Sequence, residues 1–496
     1  MSSDVFSPQA DCPGRELPTE LPPNAGRAAA GLAIVLVAQL MLVLDATVVN
    51  VALPRIGADL AFGPASLSWV LNAYTLAFGG LLLLGGRLGD VRGRLRMFEI
   101  GLALFVLASA LGGLAQTPGQ LVAARAAQGV GAALAAPSVL ALLTTSAPDE
   151  AARNRALALF GAVSSGGASI GLLLGGALTD IGSWRWTLFI NVPIGIAVLV
   201  LAPRFVDETS RRPGRFDVVG ALTATLGAVS VVWALIGTPE HGWTSARTLA
   251  GFFVGLAMLA LLARTEVRHP HPLVQPHLVR NRNRVAALAI MALVIGANLS
   301  MFFLVVQYVQ RVLGFGPLEA GVAFLPFSLG IFAMSRVTPR LFARYGARTM
   351  ILAGSMALVP AYAWLSTIGT TDTYLAAVFG PMLIAGLATG LVFMPITATV
   401  LGGVEPEHAG SASGLLQTTQ QLGSAVGVAA IVSVYAAGAV PGAIVPGLQA
   451  AFLTSAAFTA AAVLVAAFVL RPVGPPPDPA GAVDDDLVDA VAAEAA

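Results

Sequence analysis

The sequence contains no lysine: all 27 of its basic residues are arginine. A phosphate-binding loop of the GK[ST] type needs that lysine, so an ATP-driven pump within this chain is excluded. A lysine Schiff base is equally impossible, which removes retinal-based pumping and pyridoxal chemistry. Cysteine is nearly absent. The single Cys12 lies in a polar tail, so no disulfide can form within the chain and a thiolate metal site lacks its ligands. His241, His269, His271, His277 and His408 all fall in loops and read as solvated side chains. Charge is scarce as well, at 11% of residues against about 25% in a soluble domain. Soluble-enzyme readings fall with it.

What is present is apolar surface: 56% of the residues are hydrophobic and the mean hydropathy is +0.82. Runs of bilayer-spanning length, about 20 residues each, recur from residue 31 to residue 470. Charged and Pro/Gly-rich breaks divide them into fourteen predicted helices, at 29–53, 68–86, 97–115, 119–143, 155–178, 186–203, 217–237, 247–264, 285–309, 318–337, 348–367, 374–396, 411–436 and 448–470. The Pro-, Ser- and acid-rich segment 1–28 and the acidic segment 471–496, with its PPPDP and DDD, read as disordered tails. The first apolar run is too long and too late for a signal peptide.

Arginine placement gives the sidedness. With the amino terminus inside, 22 arginines fall on the cytoplasmic side and four (Arg55, Arg185, Arg247, Arg311) outside, while Arg125 lies within a span. Both termini of this multi-pass membrane protein are therefore expected in the cytoplasm. A faint repeat is also visible: the segment Gly86–Met97 after the second span and Pro339–Met350 after the tenth share Arg, Leu, Gly and Met at matching places. Its placement suggests two six-helix halves, 29–203 and 285–470, separated by a 204–284 linker that carries spans 7 and 8. Duplicated halves are a transporter architecture, with the substrate site near the midplane between them.

Gly86, Leu88, Asp90, Gly93 and Arg94 resemble the loop motif G-x-L-a-D-r-x-G-r-k of the major facilitator superfamily, with Val91 and Leu95 replacing basic residues. The segment Leu121–Gly131 looks like that superfamily's fourth-span motif. Leu44-Asp-Ala-Thr-Val-Val-Asn-Val-Ala-Leu-Pro54 is similar to the first-span signature of its fourteen-helix drug:proton antiporters. Segments 184–195, 309–314 and 409–416 continue the resemblance. It implies an all-α polytopic fold, with two six-helix bundles and two inserted linker helices. One position departs. Where the fifth-span antiporter motif has G-x-x-x-G-P-x-x-G-G, this chain has Gly167, Gly171, Gly175 and Gly176 but Leu172 in place of the proline, which removes an expected kink. Gly167, Gly171 and Gly175 still line one face and allow close helix approach.

Asp45 is the only acid deep within a predicted span. An ionised carboxylate there costs about 2.5–3.5 kcal/mol on insertion scales, so it is expected to face the bundle interior. Its protonation can follow exposure to water, as proton coupling requires; a static ion pair is the alternative. Arg125 is the matching cation, either setting the field around Asp45 or bracing the backbone. Asp90 and Arg94, with Gly86 and Gly93, suggest a gating loop whose Arg92, Arg94 and Arg96 pair with acids across the halves. Polar or aromatic residues at membrane depth that can meet substrate are Asn50, Asn72, Gln128, Asn298, Phe303 and Gln307.

The resemblance implies a proton-coupled antiporter, not an enzyme, that exports small amphiphilic drugs by alternating access. It implies no cofactor, the proton gradient being the energy source. The expected partners are a small-molecule substrate, protons and membrane lipids, with no nucleic acid, and the chain acts as a monomer. Export of an endogenous metabolite or siderophore, and a non-transporting receptor or scaffold, stay open as alternatives. Helices 7 to 14 hold no acid at membrane depth, so dicationic compounds are expected to be poor substrates; cation–π capture by Phe303 or Tyr308 is the competing possibility.

Overall fold

In lipid, a helix is the element that satisfies every backbone polar group within one stretch of chain. The computed structural model describes residues 25–145, 150–209, 218–268, 276–404, 409–438 and 443–471, and these hold helices without a β-strand. The expected tails therefore lie outside the described residues except at 25–28 and 471. The first group of helices is α1 (Ala25–Asp59), α2 (Trp69–Arg92), α3 (Arg94–Gly113), α4 (Pro118–Thr145), α5 (Glu150–Ile181), α6 (Trp186–Phe189) and α7 (Asn191–Phe205). Next come α8 (Val218–His241), α9 (Ala246–Arg268) and the short α10 (Pro276–Arg280). A second group follows: α11 (Arg282–Arg311), α12 (Pro317–Val322), α13 (Leu325–Leu365), α14 (Gly380–Leu401), α15 (Ala409–Gly438) and α16 (Val445–Phe468).

Twelve stretches among the described residues are long and apolar enough to cross a membrane, not fourteen. Pro317–Leu365 counts once at 49 residues, although its path is broken at Gly346 (φ 72°, ψ 169°). In α5, 32 residues long, the apolar stretch Ile170–Ile181 lies at the carboxy-terminal end.

The break at Gly346 has a twin. The α2–α3 junction is the single residue Gly93, at φ 107° and ψ 134°, a conformation that residues with a Cβ rarely adopt. Aligning the two repeat segments places Gly93 on Gly346, so the faint sequence repeat corresponds to the same one-residue turn between helices.

Within the first group, α1 packs on α5 and α7, and α4 packs on α2 and α3; in the second, α13 packs on α14 and α16, and α11 on α15 and α16. The groups meet along α1–α11, α5–α12 and α2–α15. Small residues make those seams close. A Cβ on Gly176 would lie 2.5 Å from the Pro317 carbonyl oxygen, and one on Gly321 would lie 2.7 Å from that of Leu172. Lipid chains are as apolar as leucine, so such close packing replaces the hydrophobic effect as the force between helices. Helix α8 covers the α2–α15 seam, with Val232 and Leu235 buried against Leu76, Ala425 and Ala429. Helix α9 lies outside it and turns Leu249, Phe253 and Leu256 outward.

Candidate functional site

Asp45 sits near the middle of α1 and is fully buried. Three donors converge on its carboxylate. Arg125 Nη1 donates to Oδ2 at 2.6 Å, while Gln128 Nε2 and Asn191 Nδ2 donate to Oδ1 at 2.9 and 2.8 Å. Ser109 Oγ on α3 accepts from both amides, at 2.6 Å from Gln128 and 3.0 Å from Asn191. Arg125 and Gln128 lie three residues apart on α4, hence on one face, and Gln128 Oε1 accepts from Arg125 Nη1 at 2.9 Å. Arg125 Nε donates to the Val70 carbonyl of α2 at 3.0 Å, and its guanidinium lies 4.6 Å from the centre of the Tyr74 ring. Arg125, Gln128, Ser109 and Asn191 are all at most 1% exposed.

This is the complement of an ionised carboxylate, which can only accept. Three N–H donors fill three of its roughly four acceptor positions, two on Oδ1 and one on Oδ2. Arg125 thus pairs with Asp45 and also bonds the α2 backbone. Gln128, expected as a possible substrate contact, has both amide atoms engaged inside this network.

Asn191 and Ser109 escaped the sequence reading. Asn191 opens α7 two residues before Pro193, whose missing N–H leaves the Phe189 carbonyl without its helical partner; Ile190 between α6 and α7 keeps a helical φ of −59° and ψ of −29°, so the two form one span, Trp186–Phe205. A polar residue two before a proline in an apolar run was the available signal. Ser109 gave none, since serine within a span commonly bonds its own helix.

The second group holds a neutral counterpart. Asn298 Nδ2 on α11 donates to Thr389 Oγ1 of α14 at 3.1 Å, and the Tyr362 hydroxyl of α13 donates to Asn298 Oδ1 at 2.7 Å. Asn50 Nδ2 donates to the carbonyls of Ala46 and Thr47 in its own helix, at 3.2 and 3.3 Å. Neither amide atom of Asn72 or of Gln307 has a partner, although both side chains are buried. Phe303 is buried edge-on against Tyr435, ring centres 6.3 Å apart.

In the loop, Asp90 pairs with Arg94, one helical turn along. Glu208, just beyond α7, accepts from the backbone N–H groups of Leu95 and Arg96 at 2.9 and 3.1 Å. The expected pairing across the halves is therefore replaced, among the described residues, by contacts within the first group. The reason is local: the turn at Gly93 brings Arg94 back over Asp90, and α7 ends beside the first turn of α3. A Cβ on Gly93 would lie 2.5 Å from a Glu208 carboxylate oxygen, whereas one on Gly86 would meet Pro137 only at 3.6 Å. Glu99, in the second turn of α3, has a buried Oε1 with no partner.

The α5 glycines divide by direction. Gly167, Gly171 and Gly175 face α1 at Val43, Thr47 and Val48, and Gly176 faces Pro317 of α12. Leu172, in place of the motif proline, is buried with its carbonyl against Gly321.

Comparison with known proteins accords with this architecture. The Major Facilitator Superfamily profile matches residues 35–428. A cephamycin export protein of Amycolatopsis lactamdurans is 40% identical over 416 residues, covering 83% of this chain and 86% of its own length. A puromycin resistance protein of Streptomyces alboniger is 40% identical over 405 residues, covering 80% of each. Among solved structures, a POT family transporter in complex with a thioalcohol-conjugated peptide superposes with a TM-score of 0.66 at 14% identity, over 89% of this chain and 95% of that one. The nucleoside transporter NupG, as its D323A mutant, gives 0.61 at 14% identity, over 89% and 100%. Those two likenesses concern the fold alone. With a profile match across most of its length and two relatives at 40% identity, this multi-pass membrane protein belongs to the Major Facilitator Superfamily.

Proposed function

We propose that this chain is a proton-coupled antiporter that exports small amphiphilic organic compounds, antibiotics among them, from a bacterial cell by alternating access. The observation that carries the reading is the Asp45 network: one ionisable group, fully buried, held by donors from two further helices of the first group. Relatives named for cephamycin export and puromycin resistance support the substrate class. The proposal includes fourteen crossings, as two six-helix halves and two linker helices between them, both termini in the cytoplasm, a monomer, and the proton gradient as the sole energy source.

In this scheme Asp45 is ionised while substrate binds from the inside. Protonation from the outside removes the negative charge that Arg125 pairs with, and Arg125 keeps its contacts to Gln128 Oε1 and the Val70 carbonyl. The arginine keeps its own proton throughout. Loosening α1 from α4 and α7 then lets the two groups rock about the α1–α11 and α5–α12 seams. A second reading, export of a compound the cell itself makes, is favoured by the relative named for exporting one specific antibiotic.

The test is transport in sealed vesicles containing the purified chain, with a compound panel and an imposed pH step. Efflux that follows the pH step and stops on its collapse is the expected result. Efflux indifferent to the gradient would overturn the coupling, and no movement of any compound would overturn export.

A further inference from the structure

Resting on the export reading, we infer that the cavity between the α1–α2 connection, α11 and α15 is a recognition site for a carboxylate on an aromatic substrate. It has a volume of about 30 Å³ and is lined by Phe62 and Leu67 from the first group and by Phe303, Gln307, Arg311 and Tyr435 from the second. That is room for about two waters. A ligand therefore enters only as the two walls begin to part.

Three observations point to an anionic group. Gln307 is 1% exposed and lines the cavity, yet neither its Nε2 nor its Oε1 has a partner. Buried amides are nearly always satisfied, so this one is reserved for something the present arrangement does not hold. Arg311, one helical turn away, also lines the cavity. At this end of the molecule Arg55 pairs with Asp180 and Arg185 with Asp59, whereas Arg311 has no ion pair among the described residues. No acid lines the space.

A guanidinium fork matches a carboxylate with two parallel N–H donors, and Gln307 Nε2 adds a third. Phe62 and the Phe303–Tyr435 edge-on pair supply faces for an aromatic body. The same arrangement disfavours cation–π capture at Phe303, because a cation over that ring would sit beside Arg311. Since the walls come from both groups, separating them divides the site, so a ligand held here is released as this end opens.

The test uses the full chain in nanodiscs, with 2-naphthoate and its uncharged analogue 2-naphthalenemethanol as probes, read by titration calorimetry. The wild type is expected to bind the acid at least tenfold more tightly than the alcohol. Arg311→Gln is expected to erase that preference and Arg311→Lys to keep part of it. Gln307→Leu is expected to lower affinity for the acid several-fold without lowering the melting temperature, since it removes an unsatisfied amide rather than a structural bond. Equal binding of the two probes by the wild type, or a preference retained in Arg311→Gln, would overturn the assignment. Export is read separately, as pH-driven efflux of an uncharged drug by the wild type. Failure of that efflux with the carboxylate preference intact would overturn the export reading and leave the site standing.

Discussion

Asn191 lies 146 residues along the chain from Asp45, yet its side-chain amide donates to the Asp45 carboxylate at 2.8 Å. Through that bond α7 shares the carboxylate that α4 holds through Arg125 and Gln128, so any change in the charge of Asp45 is felt by three helices at once.

Asp45→Asn is expected to abolish efflux driven by a pH step, by more than tenfold in initial rate. The amide cannot ionise, and it leaves Arg125 with only neutral partners. Removing one member of a buried pair costs about 3–5 kcal/mol, so a lower melting temperature should accompany the loss. Asp45→Glu keeps the charge and is expected to retain some transport. Full gradient-driven transport by Asp45→Asn would refute the coupling role.

Asn191→Ala removes one of three donors, and a hydrogen bond to a charged group contributes about 1.5–3 kcal/mol. A smaller loss of thermal stability than in Asp45→Asn is expected, with slowed turnover. Asn191→Asp sets a second carboxylate against the first and should be worse than alanine, although it is closer in shape. Equal melting temperatures for the wild type and both variants would show that this bond contributes nothing.

The neutral triad supplies a contrast. Asn298→Ala strands the Tyr362 hydroxyl and Thr389, at a cost of about 1–3 kcal/mol for a buried unsatisfied group. Stability should fall while the dependence of efflux on the pH step survives. Loss of that dependence would mean that the second group shares in coupling.

Gly175→Ala is expected to be poorly tolerated, because its Cβ would run into the Val48 backbone carbonyl of α1, which cannot swing aside. Overpacking of this kind costs about 1–3 kcal/mol. Gly86→Ala, whose Cβ meets Pro137 at an ordinary 3.6 Å, is the control. Expression and melting of the two, measured side by side, check the difference.

At the loop, Asp90→Asn and Glu208→Gln weaken contacts that hold the α2–α3 turn, far along both helices from Asp45. Turnover is expected to drop several-fold with substrate affinity kept within about twofold. A large loss of affinity at normal turnover would count against a gating role.

The sequence by itself determined that this is a helical membrane chain, because an apolar run of some 20 residues has few other stable states. It also determined which acid is anomalous: Asp45 is the only one deep within a predicted span. The repeat was legible at Gly93 and Gly346, since a one-residue turn between helices leaves a glycine behind. Only the tertiary structure decided who surrounds the carboxylate. Ser109 and Asn191 carry no charge and no periodicity that marks them, and their meeting with Asp45 depends on how α1, α3, α4 and α7 pack. The loop contacts were decided there too. Asp90 has acceptor oxygens for any donor within reach, and sequence cannot rank Arg94 against arginines elsewhere or reveal that Glu208 caps α3. Charge patterns are local in sequence, whereas pairing is settled by distances of a few ångströms between segments more than a hundred residues apart.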